Sequence, residues 1–272
     1  MPDLTEGQRI YAIGDIHGWL TLASAMVDRI RADLTARPHP RPLVIFLGDF
    51  CDRGPDTRGV YDFLLRLEAA TDLPARFLLG NHDSYIPAYL RDPDWYDRTY
   101  HWLNPAMGGN TTLASYGVPG ATDLDPAATR DAFAAALPPA HLAFIERCQL
   151  WLRVGSYVFA HAGIRPGIPM ERQSRDDLIW IRDGFLNSPA DFGFKVVHGH
   201  TIVPMVEHHP NRIAVDTGAF RTGTLSCLVL EGEDVSLLEP TGLRPWPQGS
   251  GLPAPMRLGG LRQGLRGLLS RR

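Results

Sequence analysis

The sequence predicts an α/β protein with two mixed β-sheets flanked by helices and a helical cap inserted into the sheet region, and three observations carry this. Apolar, β-rich runs near 9–13, 43–47 and 75–79 each break at a glycine followed by polar residues, with helical spacing between them, a βαβαβ pattern. Residues 84–148 lose that rhythm and read as mostly helical and rich in aromatics. From 150 onward short apolar runs return, separated by turn residues, as in a second sheet that is largely antiparallel or mixed.

Taken in order, Arg9-Ile10-Tyr11-Ala12-Ile13 reads as a strand ending at Gly14, and Leu20, Ala23, Val27, Ile30 and Leu34 then recur at helical spacing. Between them lies the loop Gly14-Asp15-Ile16-His17-Gly18. The second strand, Leu43 to Leu47, runs into Gly48-Asp49-Phe50-Cys51-Asp52-Arg53-Gly54, so a buried strand delivers two aspartates and an arginine into a turn. The segment from Asp56 to about Ala70 is helical, with Val60, Phe63, Leu64 and Leu67 on one face. Pro55 is tolerated at its start because the missing N–H would have no partner there. A third strand, Ala75 to Leu79, breaks at Gly80-Asn81-His82-Asp83. Right-handed crossovers would set all three loops along one carboxyl edge, where open α/β sheets place their chemistry.

The expected cap, about 84–148, holds Tyr85, Tyr89, Trp95, Tyr96, Tyr100 and Trp102, and the alanine-rich stretch 127–136 before Pro138-Pro139 is a plain surface helix with a clear stop. Further strands are predicted at Trp151–Val154, Tyr157–Ala160, Lys195–Val197, Ile213–Val215, Leu225–Leu230 and Val235–Leu238. Past Pro240 the chain is Gly-, Pro- and Arg-rich with no strand pattern. The expected division is therefore a domain over 1–240 and a poorly ordered tail over 241–272. Leucines 258, 261, 265 and 268 stand at helical spacing in that tail, but Gly259, Gly260, Gly264 and Gly267 each cost a helix about 1 kcal/mol. Disorder is expected there rather than a basic helix on a membrane surface.

With 44% hydrophobic and 21% charged residues, the 272-residue chain has the profile of a soluble globular protein able to bury roughly three quarters of its unfolded surface. The net charge of −3 is uneven: residues 241–272 carry six arginines and no acid, leaving 21 basic against 30 acidic residues in the body. That balance disfavours a nucleic-acid groove and suits cation binding. Cys51, Cys148 and Cys227 lie far apart with no zinc-type spacing, so neither a disulfide framework nor a structural zinc is indicated. The N-terminus lacks signal-peptide regions and no apolar run approaches 18 residues. A cytoplasmic protein without stable membrane association is expected, and the sequence carries no reading of oligomeric state.

Polar residues follow an apolar stretch five times: Asp15 and His17; Asp49, Asp52 and Arg53; Asn81 and His82; His161; His198 and His200. Singly, each has a bland explanation, since an aspartate after a strand is commonly a turn or N-cap residue and a buried histidine a packing residue. Five loops sharing the habit point instead to a two-metal site of carboxylate, imidazole and amide ligands. Asp15 and His17, two apart on an extended segment, point the same way. Asp49, on a neighbouring strand end, is placed to bridge.

The ordered blocks GDIHG, GDFCDRG, GNHD, HAG and HGHT resemble those of the metallophosphoesterase superfamily, and within it the phosphoprotein phosphatase family of serine/threonine phosphatases, most closely its bacterial branch, over about residues 9–231. The resemblance implies a calcineurin-like fold, two mixed sheets packed as a central sandwich, and two divalent metal ions, Mn2+ foremost with Fe or Zn as alternatives. It implies that Asp15, His17 and Asp49 hold the first metal and that Asp49, Asn81, His161 and His200 hold the second. His82 would be the general acid, oriented by Asp52. Arg53 would grip phosphate oxygens together with Arg182 and Asn81. Asp52 could instead cap the following helix, and Arg53 or Arg182 could be ordinary salt-bridging arginines. His198 is expected to be a hydrogen-bonded wall residue, and His208-His209, before Pro210, a turn without a role. Cys51 departs from the family's apolar residue; it reads as a small buried hydrophobe, with redox sensitivity as the alternative.

The implied reaction is hydrolysis of phosphoserine or phosphothreonine, with phosphotyrosine and small aryl phosphates as further substrates, by in-line attack of a metal-bridging hydroxide and without a phospho-enzyme. One alternative is a symmetrical diadenosine tetraphosphate hydrolase; in those relatives the aspartate of the Asp-Arg-Gly turn is usually replaced, so the intact Asp52 favours a phosphatase. The other is an inactive phosphoprotein-binding module, which predicts a lost ligand or acid, and none is missing here.

Overall fold

In the computed structural model, which describes residues 4–94, 96–97, 100–122 and 126–246, strand β1 (Arg9–Ile13) leads into helix α1 (Leu20–Ala36), β2 (Pro42–Phe46), α2 (Thr57–Ala69) and β3 (Ala75–Phe77). The inserted region contributes α3 (Tyr85–Arg91), two-residue strands β4 (Tyr96–Asp97) and β5 (Tyr100–His101), and helices α4 (Gly109–Ser115), α5 (Pro126–Ala136) and α6 (Pro139–Arg147). The second half comprises β6 (Trp151–Val154), β7 (Tyr157–Ala160), α7 (Arg175–Trp180), α8 (Asp183–Leu186), β8 (Lys195–His198), β9 (Glu207–His208), β10 (Arg212–Ala214), α9 (Ala219–Thr222), β11 (Cys227–Glu231), β12 (Asp234–Glu239) and β13 (Gly242–Pro245).

One sheet has the order β13-β12-β11-β1-β2-β3 and the other β6-β7-β8-β10-β9. Strands β1, β2 and β3 run parallel, as do β7, β8 and β10. Alternation along each strand decides what it faces. Ile10, Ala12, Ile45 and Leu47 point to the inter-sheet core with Phe159, Val197 and Ile213. Tyr11, Ile13, Val44 and Phe46 point the other way, onto α1, α2 and the inserted helices. On the far side of the second sheet, Val158, Ala160 and Val196 meet Leu178, Ile179 and Phe185 from α7 and α8. The result is a two-sheet sandwich between helical layers. Truncating Phe159, fully buried between the sheets, to alanine would cost about 3–5 kcal/mol.

Three expectations need correction. The strands predicted at 225–230 and 235–238 do not extend the second sheet; β11 pairs antiparallel with β1 and carries β12 with it. Periodicity shows that Leu228 and Leu230 are buried but not which free edge they cover, and the open edge of β1 takes them. The chain beyond Pro240 also forms a strand, because β13 closes a hairpin on β12 with Glu239 opposite Gly242. It is a sheet edge, where Pro245 is tolerated. The remainder of the predicted tail, 247–272, lies outside the described residues. His208 likewise belongs to a short strand rather than a turn.

Candidate active site

The site lies where the carboxyl ends of the parallel strands of both sheets meet. Asp15 and His17 follow β1; Asp49, Asp52 and Arg53 follow β2; Asn81 and His82 come after β3; His161 follows β7 and His200 follows β8. The turns are conformationally costly. Among the described residues six non-glycine positions have positive φ, and five of them are His17, Asp49, Asp52, Arg53 and His200. Side chains are disfavoured in that region, and such strain clusters at functional sites. Close approach adds a glycine requirement: a Cβ on Gly80 would sit 2.1 Å from Asp49 Oδ1, and one on Gly199 would sit 2.2 Å from Asp15 Oδ1.

Asp49 is the centre of the arrangement. It is shared by two buried clusters, His17–Asp49–His82 and Asp49–His161–His200, whose ligand atoms lie within 4.8 Å of one another. Its Oδ2 is 3.5 Å from His17 Nε2 and its Oδ1 is 3.4 Å from His161 Nε2. The main chain sets the imidazole tautomers. His17 Nδ1–H donates to the Cys51 carbonyl and His161 Nδ1–H to the Leu47 carbonyl, both at 2.8 Å. Their Nε2 lone pairs therefore face inward, the orientation that carbonyl partners impose on metal-ligating histidines.

On the second cluster, Asn81 Oδ1 lies 2.9 Å from His161 Nε2 and 2.8 Å from His200 Nδ1. A carbonyl-type oxygen aimed at an imidazole lone pair is repulsive unless a cation lies between, and this N/O donor set suits a hard or borderline divalent ion. Burial holds His17 and His200 well below the usual histidine range, in the neutral, ligating form. Burial alone would raise Asp49, but the imidazoles of His161, His82 and His17 pull it below the usual carboxylate range, so it stays ionised. Asp15 stands beside the clusters and accepts the His200 backbone N–H at 3.1 Å. Burial, together with the charges of Asp216 and Asp49, pushes it well up, a cost that a bound cation would offset.

Asp52 does not cap a helix; Asp56 does, accepting the Gly59 N–H at 2.8 Å. Asp52 is fully buried and accepts from His82 Nδ1–H at 2.7 Å, Trp102 Nε1–H at 2.9 Å and the Thr112 hydroxyl at 2.7 Å. Arg53 donates to the Nε2 atoms of both His17, at 2.8 Å, and His82, at 3.0 Å. Its guanidinium lies over the Phe220 ring, 4.4 Å from the centroid. A cavity of about 550 Å³ opens above, with Asp49, Asn81, His82 and His200 on its floor, Tyr85, Met107 and Trp180 on its walls, and Arg53, Arg165 and Arg182 around it. Arg165 is paired to Asp177 at 2.8 Å. All ten predicted site residues thus come together at this edge or line the cavity.

Several neighbours escaped the sequence reading. Trp102 was visible only as one aromatic among many, and Thr112 carried no signal. Asp216, on the loop after β10, follows an apolar run in the same manner as the recognised blocks, and that habit could have flagged it, whereas Phe220, on α9, carried no such signal. Asp83 accepts from Phe50 N–H, Gly80 N–H and the Tyr61 hydroxyl, and so ties two ligand loops together. His198 is fully buried, its Nδ1–H donating to the Gly199 carbonyl at 3.1 Å. Cys51 is buried, and burial followed by the Asp52, Asp83 and Asp49 charges pushes its thiol well up, which suits an inert packing residue rather than a redox sensor.

Nitrogen and oxygen ligands converging at the strand ends of an α/β sandwich define a metal-dependent phosphoester hydrolase. The chain belongs to the calcineurin-like phosphoesterase family, whose family model matches residues 8–225. Among solved structures, it is similar to a presumed diadenosine tetraphosphatase at 20% identity, covering 92% of this chain and 97% of that one with a TM-score of 0.58. It is also similar to the cold-active protein-tyrosine phosphatase of a psychrophilic Shewanella at 14% identity, covering 91% and 83% with a TM-score of 0.58. At such identities the likeness is one of fold. No curated protein matches the sequence.

Proposed function

We propose that this chain is a phosphoprotein phosphatase that hydrolyses phosphoserine and phosphothreonine, with phosphotyrosine and small aryl phosphates as further substrates. The observation that carries this reading is the buried Asp52–His82 pair at 2.7 Å, with His82 on the floor of the cavity beside Arg53. Asp15, His17 and Asp49 would hold one divalent ion and Asp49, Asn81, His161 and His200 a second, with Mn2+ favoured and Fe or Zn accepted. Bound there, the ions supply Lewis acidity toward phosphoryl oxygens and lower the pKa of water.

The protein's own groups do the rest. Arg53 and Arg182, with the Asn81 amide, present donors to the equatorial phosphoryl oxygens, where charge accumulates during in-line displacement. His82 Nε2, which accepts from Arg53 in this structure, is the atom that would carry a proton to the departing seryl or threonyl oxygen once Arg53 turns to the phosphate. Asp52 accepts from Nδ1–H, keeping the ring in the tautomer and orientation that this transfer needs. The Trp102 and Thr112 donors hold Asp52 in turn. We place the catalytic unit at 1–240, with 84–148 as the cap over the cavity, and assign the protein to the cytoplasm on its cysteine usage.

The competing substrate is a dinucleoside polyphosphate, supported by three arginines around a cavity of about 550 Å³ and by the fold shared with the presumed diadenosine tetraphosphatase. Initial rates on phosphoserine and phosphothreonine peptides, diadenosine tetraphosphate and p-nitrophenyl phosphate, each with Mn2+, decide between them. Higher kcat/KM on the peptides is expected, and a preference for the dinucleotide would replace the reading. Retained phosphopeptide binding without metal-dependent turnover would instead leave a binding module.

A further inference from the structure

From the placement of Phe220 we infer that it is the positioning residue for Arg53: its ring supports the guanidinium so that the edge N–H groups are held toward the site, where phosphate would take them from the ring nitrogens of His17 and His82. The inference rests on the reading of Arg53 as a phosphate ligand and adds a residue to it. The Arg53 guanidinium carbon lies 4.4 Å from the Phe220 centroid, within the distance at which a cation is attracted to an aromatic face. The same ring meets His17 edge-on, with centroids 5.2 Å apart, so one phenyl group touches both the arginine and a predicted metal ligand. Arginine donates in the plane of its fork, so an aromatic support occupies none of its donors, two of which point at the Nε2 atoms of His17 and His82.

The support is itself built to be rigid. Phe220 sits on α9, a four-residue turn of helix bounded by Gly218 and Gly223, both left-handed. Gly218 N–H donates to Asp216 Oδ1 at 2.7 Å. The Thr217 hydroxyl donates to the Thr224 carbonyl at 2.9 Å and the Thr222 hydroxyl to the Thr217 carbonyl at 3.1 Å, closing the loop across its base. Arg53 itself lies at positive φ (67°) in the turn after β2, and beyond its bonds to His17 and His82 the Phe220 ring is a further contact that holds its guanidinium.

The test is calorimetric binding of inorganic phosphate to the Mn2+-loaded full chain, which needs no turnover, alongside kcat and KM on p-nitrophenyl phosphate. Phe220→Leu is expected to weaken phosphate binding and raise KM by about 2- to 30-fold, the range a cation–π contact corresponds to, with kcat changed less. Phe220→Tyr, which keeps the ring, is expected to restore both. In an Arg53→Ala background the Phe220→Leu effect should vanish. Wild-type phosphate affinity in Phe220→Leu, or an undiminished effect in the Arg53→Ala background, would overturn the inference. An enzyme that binds phosphate but hydrolyses none of the substrates would overturn the proposed reaction and leave this binding test standing.

Discussion

Asp52 shows how much a single side chain can depend on its surroundings here. A fully buried carboxylate is costly unless its oxygens are occupied, and Asp52 receives three donors, one of which is the imidazole of His82. Under the proposed reaction the roles separate between neighbouring residues of one turn: Asp49 would belong to the metal clusters and Asp52 to the proton-transfer residue. His82→Asn should therefore leave metal content unchanged while lowering turnover on p-nitrophenyl phosphate by about 10²- to 10⁴-fold. Elemental analysis and initial rates check it, and unchanged turnover would remove His82 from the acid role.

At the scale of elements, the inserted region supplies donors to the site. Trp102 and Thr112, from the segments around β5 and α4, complete the Asp52 shell. Trp102→Phe keeps an aromatic ring, though a smaller one, and deletes one donor. It should cost about 1 kcal/mol in stability and lower kcat more than it raises KM, by less than the His82 change. Denaturant unfolding and steady-state kinetics measure the two effects.

The edge of the second sheet carries a different signal. Lys195 Nζ donates to His208 Nε2 at 2.6 Å, and burial, followed by the charges of Lys195 and His209, lowers His208 to about 4. Because the folded value lies below the ordinary 6.5, the neutral form is favoured by folding. That stability is fully present above about pH 6.5 and is lost as pH falls toward 4. His208→Gln should therefore show a smaller drop in Tm between pH 6.5 and 4.5 than the wild type; equal drops would exclude His208 as a source of acid sensitivity.

For the whole molecule, the two sheets share an apolar core and, at its carboxyl edge, a set of buried like-charged or lone-pair-bearing groups. Asp15, Asp49 and Asp216 are each 2% exposed, close to one another and on strand ends from both sheets. Divalent ions should therefore act as a clamp between the sheets, stabilising by about 4 kcal/mol at a concentration a thousandfold above Kd. Chelation should lower Tm and Mn2+ should restore it, with the response lost in Asp49→Asn; scanning calorimetry reads this directly. Among the described residues no helix is long and apolar enough to cross a membrane.

Most of the strands, the ligand blocks and their shared carboxyl edge were legible in the amino-acid sequence, because each depends on local information: an apolar run of period two, a glycine that ends it, and ligating residues within a few positions. Partnership between distant segments was not. Which edge β11 covers, that Trp102 and Thr112 reach Asp52 from 50 and 60 positions away, and that Phe220 lies over Arg53 all depend on how buried faces pack. Periodicity reports that a face is buried but not against what, so the candidate ligand blocks were legible from sequence alone, while the shell of residues around them was settled only by the packing of the two sheets and the inserted helices.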